Sequence, residues 1–292
     1  MYELIRAIGN TYYVDCPSKI GVFRHSNSEV CLIDSGNNRE TGKKIKKILD
    51  GESWNLTKIF VTHAHADHIG GNRYLADQYG CKIYAHEIEC DLTRHTILEP
   101  AFLYGANPPD ELRHKFLLAE KSNAEFLTVD DMPEGFSAFE MPGHTFNMVG
   151  YRTPDDAVFI ADCLSSVETL DKYGVGYIFD VEEYLNTLEK VKRLDAKIFI
   201  PSHAPATDDI TPLADYNIKK VNEILCAITD ICKTPKITEE ILSELFERYS
   251  LTMNFEQYAL VGSALRSYLT YLSAKKKILP FFNSNKLYFE AI

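Results

Sequence analysis

Apolar residues come in short bursts along the first two-thirds of this chain and in longer, helix-spaced series along the last third. Tyr12-Tyr13-Val14 and Glu29–Ile33 read as strands, the second running into the turn Asp34-Ser35-Gly36. Thr41–Asp50 sets Ile45, Ile48 and Leu49 on one face and lysines on the other, which predicts an amphipathic helix. Lys58–Val61 is a short buried strand, a helix is expected from near Asp67 to Gly80, and Lys82–Ala85 opens the next strand. Strand, helix, strand is the rhythm of an α/β layered architecture. From 87 to about 127 the chain is rich in Leu, Phe and Tyr around the break Gly105-Ala106-Asn107-Pro108-Pro109-Asp110. That predicts a helical insertion, Glu89–Tyr104 and Asp110–Lys121, fit equally to cover a site or to fill core.

After Pro205 the texture changes. Ala214–Ile231, Thr238–Arg248 and Phe255–Tyr271 each carry a helical apolar face, and Ile278–Phe282 with Lys286–Phe289 flank the turn Asn283-Ser284-Asn285. Three helices and a closing hairpin form a winged-helix-like layout. The expected division is a catalytic domain at 1–207 and a small helical domain at 208–292.

Chemistry gathers where strands end. Ile59-Phe60-Val61 runs directly into THAHADHIGG, residues Thr62–Gly71. Phe139-Glu140-Met141 leads to Pro142-Gly143-His144, Ala157–Ile160 to Ala161-Asp162, and Lys197–Ile200 to Pro201-Ser202-His203. A lone loop histidine is most often a surface group or a cap. Here five of nine histidines and two aspartates sit at strand ends, and imidazole with carboxylate is a ligand set for zinc, iron or manganese. Two neighbouring divalent ions, zinc first among the choices, would use them all: His63 and His65 on one, Asp67 and His68 on the other. His144, Asp162 and His203 complete the set, with Asp162 able to bridge. Asp34 is expected to orient a ligand-bearing loop through backbone hydrogen bonds; His86 reads as a satisfied loop histidine or, second, as a hydrogen-bond donor to a ligand. Cys163, beside Asp162, reads as a packed thiol or an extra donor. Tyr104, Tyr173 and Tyr177 are candidates to line a pocket.

These motifs resemble those of the metallo-beta-lactamase superfamily of hydrolases. THAHADHIGG is similar to its HxHxDH signature, and Leu32–Gly36, Pro142–Thr145, Ala161-Asp162 and Pro201–His203 resemble its other motifs in the same order, across about residues 10–205. The resemblance implies a four-layer αβ/βα sandwich. It also implies His63, His65 and His144 on a first metal, Asp67, His68 and His203 on a second, and Asp162 between them. A metal-bridging hydroxide would then attack the substrate, with Asp67 accepting a proton or orienting it. Hydroxyacylglutathione hydrolases usually continue this GHT motif with proline, glycine and histidine. This chain has Phe146-Asn147-Met148 instead, which weakens a glutathione-conjugate assignment. The tail resembles the winged-helix tail of relatives of an endoribonuclease.

Composition narrows the classes. A net charge of -11 argues against a polyanion-gripping protein, and the acidic excess lies almost wholly before residue 206. The seven cysteines form no CxxC pair and read as reduced thiols. No apolar run approaches the roughly 18 residues of a membrane span, and no leader pattern opens the chain, so a cytoplasmic protein is expected. The favoured reading is a binuclear metal-dependent hydrolase of a small-molecule ester, thioester, lactone or amide. A nuclease or phosphodiesterase, with Lys275-Lys276-Lys277 touching phosphate, stands second. A non-enzymatic module for nucleic-acid binding or self-association around a structural metal stands third. The tail leaves homo-oligomerisation open.

Overall fold

The structure, a computed structural model, describes residues 2–292. Alternation along the strands sorts side chains between two cores. Val30 and Leu32 face a helical layer with Ile45 and Leu49, while Cys31 and Ile33 face the opposite sheet with Tyr151 and Phe159. The first sheet is ordered β1 (Glu3–Ile8), β2 (Thr11–Asp15), β3 (Ile20–Arg24), β4 (Glu29–Ile33), β5 (Asn55–Phe60), β6 (Lys82–Ala85) and β7 (Ala124–Phe126). It is antiparallel from β1 to β4 and parallel from β4 to β7. The second sheet contains β8 (Ser137–Glu140), β9 (Val149–Arg152), β10 (Ala157–Ser165) and β11 (Ile198–His203), with only the β10–β11 pair parallel. Phe60, Tyr84 and Phe136 meet Tyr151, Phe159 and Ile200 between the sheets.

Helices α1 (Arg39–Gly51), α2 (Ala66–Ile69), α3 (Asn72–Tyr79), α4 (Glu87–Arg94) and α5 (Leu98–Tyr104) follow the first sheet's strands. α6 (Val167–Tyr173) and α7 (Val181–Val191) cross between β10 and β11. α8 (Thr211–Ile231), α9 (Thr238–Arg248) and α10 (Phe255–Ala274) then lead to the hairpin of β12 (Ile278–Asn283) and β13 (Lys286–Ala291). The expected helix–sheet–sheet–helix sandwich and the expected order of tail elements are both present. One apolar core nevertheless runs unbroken from Val158 and Ile160 on β10 through α7 to Leu225, Leu245 and Leu265 on the tail helices. Among the described residues no helix is long and apolar enough to cross a membrane.

The insertion departs from expectation. The first expected helix is two, broken at His95–Ile97, and the second shrinks to a 3-10 turn, Asp110–Leu112. Leu112 and Leu117 are buried against Leu103 and Ala259 of α10. Five positions apart, they do not share a helical face. Contact with α10, rather than local periodicity, shapes this segment.

One side chain sets up a stability test. Tyr268 on α10 is fully buried, and its hydroxyl has no hydrogen-bond partner. Tyr268→Phe removes a sealed, unpaired polar atom and is expected to stabilise the fold by about 1 kcal/mol in denaturant unfolding. A comparable loss would reveal a partner for the hydroxyl.

Candidate metal centre

Strand ends and two backbone irregularities aim the polar side chains. After β5 the chain bends at Thr62 and enters α2 with an extended His65 at its N-cap, so Asp67 and His68 fall in the first helical turn. A Cβ at Gly70 would collide with the Asn37 carbonyl, which is why the motif closes on glycine: α2 lies tightly over the loop after β4. On β10, Ala161 has φ of 47°, and the pairing with β11 slips on both sides of it. Val158 and Ile160 face the helical core, so unbroken alternation would send Asp162 there too. The irregularity instead buries Ala161 and Cys163 in that core and turns Asp162 toward the histidines.

Two triads result. His63 Nε2 and His144 Nε2 approach His65 Nδ1 to 3.2 and 3.1 Å. Asp67 Oδ2 lies 3.2 Å from His203 Nε2 and 3.6 Å from His68 Nε2. Asp162 stands between them. Its Oδ2 is 3.1 Å from His203 Nε2, 3.7 Å from His144 Nε2 and 4.0 Å from His63 Nε2, while its Oδ1 is 3.2 Å from His68 Nε2. The ligand atoms of His63, His65 and His144 lie within 4.8 Å of one another, as do those of Asp67, His68 and His203. All seven residues expected at the site are therefore brought together.

The donor set fits divalent cations. Tetrahedral ligands at zinc distances stand roughly 3.3 Å apart, close to the spacing of the first triad. Burial, aided by the neighbouring His144, pushes the His65 pKa down to about 3, and burial also lowers His63 and His144. These rings stay neutral with lone pairs converging on one point. Burial opposes charge on His203 and His68 as well. There the facing carboxylates win, Asp162 foremost, raising His203 to about 10 and His68 well above the ordinary histidine range. Asp162 Oδ1 is buried and makes no hydrogen bond, despite its 3.2 Å approach to His68. An orphaned carboxylate oxygen among five imidazoles is what a cation would satisfy.

Neighbouring groups lock the ligands in place. Asp34, 2 % exposed, accepts from Thr62 N and Thr62 Oγ1 at 2.8 Å, and its Oδ2 is 2.8 Å from His68 Nδ1. That pairing leaves His68 Nε2 turned to the site. Thr62 Oγ1 in turn meets His63 Nδ1 at 3.0 Å, and Pro17 O meets His203 Nδ1 at 2.8 Å. Asp34 thus binds side chains as well as the expected backbone. His86 is a correction: it hydrogen-bonds no ligand, its Nε2 is buried without a partner, and the nearest carboxylate is Glu140 at 3.7 Å. Cys163 is a packed thiol in the helical core, its pKa raised by burial, and not a donor to the site. Two participants have no sequence signal of their own. Ser18 Oγ stands 3.1 Å from His68 Nε2. Glu89 is fully buried on α4, and in the sequence it passes for an ordinary acidic residue at a helix start. Its one clue is that it shares the buried stripe of Cys90 and Thr93.

Asp67 and His203 open on a cleft of about 960 Å³. Tyr173 and Tyr177 line it as expected, whereas Tyr104 is 40 % exposed at the end of α5. Lys115 and Phe116 of the insertion form part of another wall, and Glu256 and Leu260 of α10 complete it.

Comparison with known proteins agrees with this geometry. Relatives include a hydroxyacylglutathione hydrolase of Rhodopseudomonas palustris, 30% identical over 135 residues, covering 45% of this chain and 41% of that protein. One from Pelagibacter ubique is 28% identical and covers 57% of each. The chain thus spans about half the length of the curated relatives it matches. A beta-lactamase domain protein from Burkholderia ambifaria superposes with a TM-score of 0.76 at 13% identity, over 99% of this chain and 94% of that one. A metallo-beta-lactamase family protein from Thermus thermophilus gives 0.71 at 15%, over 99% and 98%. The sequence profile of the metallo-beta-lactamase superfamily matches residues 13–203, from β2 through the last histidine of the cluster, and the chain belongs to that superfamily.

Proposed function

We propose that this protein is a hydrolase of small-molecule carbonyl compounds, an ester, thioester, lactone or amide, working with two divalent cations. The observation that carries the reading is the pair of triads flanking Asp162, with Asp67 and His203 of the second opening on a cleft. His63, His65 and His144 would hold one cation, Asp67, His68 and His203 the other, with Asp162 reaching both. Bound there, such cations supply Lewis acidity and a water of lowered pKa. Zinc suits the nitrogen-rich first triad, and the same donors accept iron or manganese. Asp67 is the carboxylate of the cluster that lines the cleft, its side chain 32% exposed, and it takes the proton released as water adds to the carbonyl. Tyr177 packs edge-on to His65 and His144, at 5.5 and 5.8 Å, and shields those ligands from solvent.

The hydrolase assignment draws on superfamily membership and on relatives named as hydroxyacylglutathione hydrolases. Their substrate is not carried over. Phe146, which follows the GHT motif here, packs against Phe179 at 4.2 Å and Phe102 at 5.1 Å. The phosphodiester reading draws less support, since Lys275 of the basic run is held by Glu182 at 2.6 Å. We further propose that 208–292 acts with the catalytic layers, because α10 lines the cleft, rather than as a separate nucleic-acid module.

A turnover screen over thioesters, aryl esters, lactones and phosphodiesters, in zinc and then manganese, tests the reading. Asp67→Ala is expected to lower kcat/KM on the best substrate by about 100- to 10,000-fold, the range for a lost general base. His144→Ala and exhaustive chelation should abolish turnover. Activity indifferent to all three changes would sink the assignment.

Cation binding should also release protons. His203 in the metal-free protein keeps its proton up to about pH 10, well above an unfolded histidine, so metal must displace that proton. Apparent zinc affinity therefore rises as pH climbs toward about 10. The same shift contributes stability to the metal-free fold that is complete below about pH 6.5 and lost as pH climbs through 10. Calorimetry in buffers of different ionisation heat reads the proton count directly, and zero release at pH 7 would contradict the pairing.

A further inference from the structure

Glu89 is an unusual group to bury. It is wholly inaccessible, no lysine, arginine or histidine nitrogen lies within 4.0 Å of its oxygens among the described residues, and it does not line the large cleft. Three neutral donors satisfy it. Ala64 N donates to Oε2 at 2.9 Å, and Thr145 Oγ1 and Asn147 N donate to Oε1 at 2.7 and 3.0 Å. A buried anion without a counter-ion is a poor way to stabilise a fold, since apolar residues fill such a position at less cost.

What distinguishes these donors is their place in the chain. Ala64 lies between His63 and His65, and Thr145 follows His144. Every member of the first triad is thus one residue away from a group that Glu89 holds, although its two loops come from different sheets. The second triad has other anchors: Asp34 on His68 and the Pro17 carbonyl on His203. We infer that Glu89 is a positioning residue that clamps the two loops carrying His63, His65 and His144, and so sets the cation affinity of that triad selectively. This rests on the two-cation reading above. Gln at this position keeps the shape but replaces one acceptor oxygen with an amide N–H₂, so that one loop would meet donor against donor.

Single-triad backgrounds separate the effects. His203→Ala leaves the first triad intact, and His144→Ala leaves the second. Zinc dissociation constants are measured by competition with a chromophoric chelator, with and without Glu89→Gln, alongside thermal unfolding of each metal-free protein as a fold control. In the His203→Ala background Glu89→Gln is expected to weaken zinc binding by about 10- to 100-fold, the range for groups that orient metal ligands. In the His144→Ala background it should leave the constant unchanged. Thr145→Val, which removes one donor and keeps the carboxylate, should give a smaller loss with the same selectivity, and decides the matter if Glu89→Gln does not fold. Equal weakening in both backgrounds, or none in either, overturns the inference. Failure of the unsubstituted protein to bind zinc, iron or manganese would instead overturn the two-cation reading itself.

Discussion

The carboxylate of Asp34 fixes where the candidate ligands stand. It sits at the end of β4 with φ of 65°, a backbone conformation that costs about 1–3 kcal/mol for a residue other than glycine. From there it takes hydrogen bonds from the Thr62 amide and hydroxyl and pairs with His68 Nδ1. Each such bond to a charged group is worth about 1.5–3 kcal/mol net, while sealing the charge from water costs several kcal/mol. The sum is close to neutral, so stability alone is a weak reason for the residue to be there. Position is the better reason: Asp34 holds His68 directly and His63 through Thr62, and without it the start of the HAHADH segment would lose its reference to the sheet.

The same reasoning extends to the opposite wall of the site. Strands of both sheets end at one edge of the sandwich, where β5 delivers the first histidines and β10 and β11 deliver Asp162 and His203. Parallel pairing sets β10 beside β11, and Asp162, inside β10, brings its Oδ2 within 3.1 Å of Nε2 of His203 at the end of β11. The slip at Ala161 completes the arrangement. It introduces a strained non-glycine backbone in the middle of a buried strand to turn one carboxylate around, and leaves one of that carboxylate's oxygens without a partner. Both defects concentrate where the cation donors converge, as expected of a fold that trades local comfort for a charged site.

What was legible in the sequence follows from which forces acted locally. The seven clustered residues, an α/β layering and the order of the tail elements could be read, because each rests on short-range signals: strand-to-turn transitions, helical spacing, and ligand-type side chains at strand ends. The two-sheet sandwich was implied by the family resemblance. The insertion could not be read, because Leu112 and Leu117 take their places from α10, more than 140 residues further along. Glu89 was hidden for a related reason. An acidic residue in the first turn of a helix is ordinary, and only the fold reveals that its partners are Ala64, Thr145 and Asn147. His86, a histidine at a strand end, fits either reading in the sequence, and the structure gives it no ligand to bond.

The insertion, which reads least well in the sequence, shapes the cleft together with the tail. Insertion and tail meet each other through Leu103, Leu112, Leu117 and Ala259, and together with Tyr177 they stand over the His65 side of the cluster. α10 also packs on α7, and Ser267 Oγ donates to Phe179 O at 2.7 Å, so the chain just after the Tyr177 wall is braced by the tail. A change in the tail's packing therefore reaches the cleft without touching a ligand. The ligand set is specified by the sandwich and its strand ends. The space in front of it is specified by contacts between segments far apart in sequence.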